Sequence, residues 1–519
     1  MRTTPSQCDD NSCEVAVHIP PPSLPVGLYY GYRTCMHNAL SALYGRIAMA
    51  VPSINQAKFQ ELYHIAEQVA GLLPTPKVMR LSDVPLHYSG NKRARYQRAY
   101  EELVTNRRQT KGELKMFTKV EMALYKPNKP RPACRAIQFP DFEYAVELAT
   151  FIKPIEHGLY TLGNNKLLGV GLTIFKNLNS AQRGAELRKK WEAFKNPVAY
   201  GWDAHRFDAH IVREWLELER SVYLKVVPTT ERKKRLSDLL EKQLKVRGKV
   251  RTKDGSTLRY VVPGVRGSGQ MNTASGNCVV MIIMLCYCCI EQGIEYSIAD
   301  DGDDSVVITE GRMDVDLFAS TCKAFGMVME LEGEWTEFEQ IKFCQSSPVF
   351  VQGNYRMIRD PMRAIAKSLT NPKFNDLRGL PKRLRTVALG ELSLTRGIPI
   401  LQPFFSRLAS LATARMSYKS LSRNEGVDKS FLMGQNRYAR ELEGTWWLAT
   451  PDPISSETRA SFAKAFDIPP EDQLVMERAI AEWRLPDDLT PIDAMGIEES
   501  TWMVPFQALD APAVMGFCY

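Results

Sequence analysis

The chain has 519 residues, of which 44% are hydrophobic and 24% charged, and its formal net charge is +8 at pH 7. That composition is ordinary for a globular protein, and the length exceeds one simple core, so two or three subdomains are expected. The 11 cysteines lack the spacing of a zinc site or a disulfide framework, which excludes both readings and predicts a reducing, intracellular setting.

Residues 1 to about 35 are Pro-rich and irregular, with no continuous apolar segment of the kind that opens a secreted chain. Apolar positions every three or four residues predict a helix from roughly 36 to 72. The basic stretch 90 to 125 is expected to be mostly helical, ending at "YKPNKPRPACRAIQF", whose prolines favour an extended loop or edge strand. A helix follows from about Asp141, a plausible N-cap, with an interruption near Pro154. "PVAYGWDAHRFDAHI" reads as a strand, a turn and a helix. Residues 231 to 250 are expected to form a charged helix, and "KVRTKDGSTLRYVV" a hairpin turning at Asp254-Gly255. After the Gly-rich "PGVRGSG" comes a 13-residue apolar run, "CVVMIIMLCYCCI", in which Cys286, Cys288 and Cys289 read as small buried residues; it is too short to span a bilayer and reads as a core helix. "IEYSIAD" and "DSVVIT" form a second hairpin around Gly302. Beyond about residue 370 the pattern is largely helical.

Several short runs, among them "NKRARYQRAY" and "ERKKRLSDLLEKQLKVRGKVRTK", hold much of the positive charge. Together they point to a basic channel and a polyanionic partner. The negative charge has its own cluster. "SIADDGDDSVVI" places four aspartates within five positions at a hairpin tip, which is costly unless a cation offsets them. Hard divalent cations prefer oxygen ligands, so Asp303 and Asp304 read as metal ligands. About 100 residues upstream, Asp203 stands at a strand end and Asp208 at a helix start. Two closely spaced metals need carboxylates from more than one segment. In "RGSGQMNTASGNCVV", Thr273 and Asn277 share one helix face beside the flexible Ser268-Gly269 loop. Hydroxyls and an amide so placed can read the hydroxyls of a sugar.

In this order the elements resemble the RNA-dependent RNA polymerases of positive-strand RNA viruses, the tombusvirus-like (carmovirus-like) group in particular. "DAHRFD" is similar to motif A of that family, "SGQMNTASGN" to motif B and "GDD" to motif C. "RPACRAIQ" resembles motif F, "EQIKFCQSSPVF" motif E, and "MIRDPMRAIAKSL" the segment after it. The resemblance covers roughly residues 119 to 370. Three positions depart from the family pattern: Gln270 stands where Asp is common, and Phe139-Pro140 where a Pro-Arg pair is common. Glu330 stands near the expected position of a lysine that protonates pyrophosphate, leaving Lys323, Lys342 or a hydrated proton for that role.

The resemblance implies an α+β right-hand polymerase with fingers, a palm built on an antiparallel sheet flanked by helices, and a helical thumb. It divides the chain into an N-terminal extension and fingertips (1–110), fingers (111–200), palm with motif A (201–212), a fingers insertion (213–262), palm with motifs B to E (263–355), and thumb with C-terminal tail (356–519). Asp203, Asp303 and Asp304 would be catalytic and hold two Mg2+ ions, with Mn2+ able to substitute. Asp208, Ser268, Thr273 and Asn277 would bind the ribose of the incoming NTP, and Arg135, Lys126, Lys129 and Arg131 its triphosphate. Phe343, Cys344 and Gln345 would form a primer grip. The implied partners are RNA template and product, NTPs, and viral and host replicase proteins. Membrane association would come only through a partner or an upstream fusion segment, with location in the host cytoplasm at membrane-associated replication complexes. Two alternatives are a catalytically inactive RNA-binding replicase subunit and a reverse transcriptase; Asp208 and Asn277 weigh against the second.

Overall fold

The computed structural model describes residues 2–3, 14–15, 17–32, 34–106, 112–119, 121–126, 132–252, 255–371, 380–412 and 450–485. The architecture is α+β. Its centre is a four-stranded antiparallel sheet of order β2-β3-β1-β4, in which β1 is Pro197–Ala204, β2 Tyr296–Asp300, β3 Asp304–Glu310 and β4 Met329–Trp335. Both faces of this sheet are covered. Val198, Tyr200, Trp202, Ile298 and Val307 pack into one core, while Ala199, Ala299, Val306 and Ile308 pack with Phe338 and Phe343 in another. Strands buried on two sides read as continuous apolar runs, which is why "SVVIT" shows no alternation.

Against the first face lies the helix Thr273–Glu291, here α5, with helices α1 (Gln56–Leu72) and α4 (Arg213–Val226) beyond it; between these in the chain come α2 (Gly90–Asn106) and α3 (Phe142–Leu159). Every residue of α5 from Ser275 to Cys286 is buried. Each large apolar side chain placed there stabilises the fold by roughly 1.5–3 kcal/mol. Among the described helices α5 is the one apolar and long enough to cross a bilayer, with a mean hydropathy of 1.9, yet 78% of that stretch is inside the protein. Cys286, Cys288 and Cys289 are small core residues, as expected, and the Cys288 Sγ lies 3.7 Å from that of Cys322.

A second sheet joins, in order, Arg2–Thr3, Thr257–Pro263, Lys245–Arg251, Leu114–Thr118 and Ala136–Pro140. Leu114, Met116, Val246, Val250 and Leu258 cover one of its faces, and Ala136, Ile137 and Gln138 of its last strand line a cavity shared with Asp203 and Ala204 at the end of β1. A separate core gathers the hairpin of β5 (Ser346–Val351) and β6 (Asn354–Arg359) with the helices Leu380–Leu394, Leu401–Leu411, Ser456–Phe466 and Pro470–Glu482. Ile19 and Leu24 enter this core from the far end of the chain, and the Trp483 indole donates to the Pro20 carbonyl at 3.1 Å.

Four expectations require correction. The helix expected over 36–72 is Met36–Ala42, a π-helical turn Leu43–Ile47, and then α1. Pro52 breaks the stretch, and the Asn55 side chain caps α1 by accepting from the Lys58 N–H at 3.2 Å. Residues 90–125 are helical only over Gly90–Asn106; Leu114–Thr118 and Met122–Leu124 are strands recruited by sheet partners. The helix Phe142–Leu159 runs unbroken through Pro154, held by eleven buried residues along its length. Asp141 takes its N-cap position without a capping bond and pairs with Lys115 at 3.0 Å. The charged helix ends at Glu241, and Lys245–Arg251 pairs with Thr257–Pro263 as the expected hairpin; Lys253 and Asp254 of its turn lie outside the described residues.

Candidate active site

Strand β1 has the burial pattern of a core strand until its end, where Asp203 alone is exposed. Asp203 pairs in register with Asp304 of β3 on one side and Glu330 of β4 on the other. Neighbours in register share a face of the pleat, so the carboxylates of β1 and β3 point the same way. Gly302, at φ +102°, makes the turn between β2 and β3, a left-handed conformation that glycine adopts without penalty. The Asp301 N–H donates to the Asp304 carbonyl across that turn at 2.9 Å.

The four aspartates of the tip therefore have four different environments. Asp300 is fully buried against the Cys278 thiol, and burial pushes its carboxyl well above the usual range. Asp301 is nearly as buried, but Lys176 and Arg183 outweigh that burial and hold it below its ordinary value. Asp303 is exposed at the tip. Burial pushes Asp304 up to about 7, aided by Glu332, Asp303 and Asp301 and opposed by the Cys344 backbone N–H aimed at its carboxylate. Asp203 reaches solvent, yet the protein around its carboxylate desolvates it in part, and that, followed by Asp303 and Glu330, raises it above its ordinary value.

Among the described residues none of Asp203, Asp303 and Asp304 forms a salt bridge, and no three acidic, His or Cys side chains are arranged to hold a metal unaided. Uncompensated carboxylates are the hard donors that a divalent cation prefers, and Mg2+ typically completes its shell with water and substrate oxygens. The donor set fits such a cation.

Beside them the chain leaves β1, passes Arg206 in a left-handed conformation (φ 49°, ψ 52°), and enters the short helix Phe207–His210. That backbone is strained for a residue with a side chain. It turns Asp208 toward the loop before α5. Ser268 Oγ donates to Asp208 Oδ2, and Asn277 Nδ2 donates to Asp208 Oδ1 at 2.9 Å. Thr273 does not join them: its hydroxyl donates to the Gly267 carbonyl at 2.7 Å and accepts from the Gly269 N–H at 3.4 Å, closing the loop on itself. The Asn277 Oδ1 is buried without a hydrogen-bond partner, so one acceptor remains for a ligand.

Asp203, Asp208 and Asp303 line a polar cavity of about 240 Å³ whose lining also includes Arg46, Lys119 and Arg135. Arg135 is half exposed, 3.6 Å from Glu121. Burial, then the Arg135 and Arg206 guanidiniums, hold Arg46 below the usual arginine range. Like charges crowded this way favour an anion among them. Of the other expected phosphate ligands, Lys126 is exposed and does not line the cavity, and Lys129 and Arg131 lie outside the described residues. Sequence reading missed Arg46 and Arg206. Arg206 sits inside "DAHRFD" and could have been suspected; Arg46 is delivered by a π turn nearly 90 residues before Arg135 and gave no local signal.

Phe343, Cys344 and Gln345 form a tight turn against the same sheet face. Phe343 and Ser346 exchange both backbone bonds, and Cys344 and Gln345 between them have φ of 52° and 58°. This is the geometry of a two-residue turn normally given to Asn-Gly. Phe343 is buried edge-on to Phe175, and Gln345 accepts from Lys367 Nζ at 3.3 Å.

Residues 45–487 match the family described as viral RNA dependent RNA polymerase. The chain is 31% identical over 450 residues to the RNA-directed RNA polymerase of Tobacco necrosis virus (strain D), covering 84% of this chain and 59% of that protein. It is 34% identical over 397 residues to that of Melon necrotic spot virus (75% and 48%) and 30% identical over 450 residues to that of Carnation mottle virus (85% and 56%). The chain spans about half the length of the curated relatives it matches.

Proposed function

This chain belongs to the viral RNA-dependent RNA polymerase family, and on that footing we propose that it copies an RNA template by adding ribonucleotides from NTPs to a growing 3′ end, replicating a positive-strand genome. The observation that carries this reading is the register of Asp203 opposite Asp304, with Asp208 and Ser268 on the wall of the cavity that Asp203 lines and Asn277 donating to Asp208 from behind them. Asp203, Asp303 and Asp304 would hold two divalent ions, Mg2+ or Mn2+. Such ions lower the pKa of the attacking 3′-hydroxyl and offset the charge of the triphosphate and pyrophosphate.

The remaining work falls to the chain's own groups. Asp208, fixed by two donors, offers carboxylate oxygens to a ribose hydroxyl, while the unpaired Asn277 Oδ1 is a second acceptor beside it. A deoxyribose leaves that pair unsatisfied, which favours NTPs over dNTPs and a polymerase over a reverse transcriptase. Arg46 and Arg135 hold the triphosphate through forked donors, with Lys119 adding a point charge. Thr273 shapes the loop, and Phe343 to Gln345 support the priming strand. In the right-hand division the central sheet is palm, the five-stranded sheet is fingers, and the helices beyond residue 356 are thumb. Membrane attachment at host replication complexes would come from partner proteins or from sequence that the longer relatives carry.

Incorporation of labelled NTPs on a short RNA template with Mg2+, comparing the wild type with Asp303→Ala, tests the reading. Template-dependent product that disappears in the variant is expected. RNA binding by the wild type with no incorporation would instead indicate an inactive replicase subunit, and product that persists in the variant would remove Asp303 from the chemistry.

A further inference from the structure

Asp301 occupies the residue before Gly302, yet its carboxylate turns away from the cavity and into the protein. Lys176 Nζ donates to Asp301 Oδ1 and to the Asp301 carbonyl, each at 2.6 Å. Arg183 Nη2 donates to Asp301 Oδ2, and Arg183 Nη1 donates to Cys344 Sγ at 3.3 Å. The Cys344 thiol closes the loop by donating to Asp301 Oδ2 at 3.5 Å. Arg183 is anchored in turn through Nε to the Leu178 carbonyl at 3.2 Å. One carboxylate thus ties the Gly302 turn to the Phe343–Ser346 turn through Arg183 and the Cys344 thiol, with Lys176 bracing its other oxygen.

We propose that Asp301, Lys176 and Arg183 form a buried ionic latch that positions the metal-binding carboxylates. Asp301 is a positioning residue, because it faces neither cavity nor substrate. The inference rests on the metal-site reading of Asp203, Asp303 and Asp304. Its physical basis is that the latch fixes the turn from both sides. Asp301 holds the backbone immediately before Asp303, and the same Cys344 whose side chain joins the latch aims its N–H at Asp304. The two consecutive left-handed residues of the second turn hold a costly conformation, and the arginine fork reaching Cys344 is what pins it there. Two cations built into the fold also neutralise Asp301, so a bound metal need answer only the carboxylates that face it.

The test is Mn2+ binding to the full chain, followed by water-proton relaxation, which needs no catalysis. It compares wild type, Asp303→Ala, Asp301→Asn and Arg183→Lys, with Tm recorded for each. Asp301→Asn keeps the volume and an acceptor but loses the charge; Arg183→Lys keeps the charge but loses the fork. Disturbing an outer partner of a metal site typically costs roughly 10–100-fold in affinity. We expect about tenfold weaker Mn2+ binding in Asp301→Asn, a smaller loss in Arg183→Lys, and a double variant little worse than Asp301→Asn alone. If Asp301→Asn does not fold, Arg183→Lys carries the test. Mn2+ binding that is lost in Asp303→Ala but unchanged in both latch variants overturns the latch and leaves the metal site standing. A wild type that binds no Mn2+ overturns both.

Discussion

Asp304 is a carboxylate that the fold retains at a cost. Its value near 7 lies above the ordinary 3.8, so the folded chain holds that proton more tightly than the unfolded chain does. Its contribution to stability is full below about pH 4 and is lost as pH rises through about 7. Asp304→Asn should therefore raise the metal-free stability at pH 8 by about 2–4 kcal/mol. That advantage should shrink toward zero near pH 4, as urea unfolding across pH would read. Asp208 makes the complementary prediction: Asp208→Ala or Asn277→Ala should lower the NTP-over-dNTP preference by roughly 10- to 100-fold, measured as the ratio of kcat/KM values. At this scale the sequence was only half legible. Four identical letters, Asp300, Asp301, Asp303 and Asp304, have different fates because their partners, Cys278, Lys176 and Arg183, come from distant segments.

At the scale of elements, the join between α4 and the loop before α5 rests on a buried polar network. Arg266, wholly buried, donates to Glu219 Oε2; Asn272 Nδ2 donates to Glu219 Oε1 at 2.8 Å, and Gln243 Nε2 donates to Asn272 Oδ1 at 2.9 Å. A Cβ at Gly276 would come within 2.2 Å of Glu219 Oε1, so α5 can approach only because it carries a glycine there. Removing one partner strands the other's charge in the interior. Glu219→Ala should cost about 3–5 kcal/mol in chemical denaturation, whereas Arg213→Ala on the same helix, in an exposed pair with Glu217, should leave the denaturation midpoint nearly unchanged. Elements with a local signature were readable from the sequence: the apolar run of α5, the hairpin around Gly302, the hairpin before the Gly-rich loop. Leu114–Thr118 was not, because a basic, weakly patterned stretch becomes a strand only through its neighbours in the five-stranded sheet.

At the scale of the whole molecule, segments more than 400 residues apart share one core. Ile19 and Leu24 share a core with Phe462, Ile480 and Trp483, and Trp483 stacks on Phe404 with ring centroids 5.5 Å apart. Trp483→Ala should cost about 3–5 kcal/mol and lower Tm, and should speed proteolysis within residues 17–32 even though that segment is unaltered. Such a contact has no sequence signature, since neither segment carries a pattern that names the other. The core helix α5 bears on how the chain is made. Part of its cover, α1 and α4, is synthesised before it; the strands β2 and β3 and the helix Val315–Ala324, whose Cys322 meets Cys288, complete it, and at roughly 5–20 residues per second they follow within about two to seven seconds. For that interval the nascent chain displays a stretch as apolar as a membrane anchor. Early docking of α1 and α4 thus competes with the cell's machinery for capturing such stretches, and the order of helices along the chain favours folding.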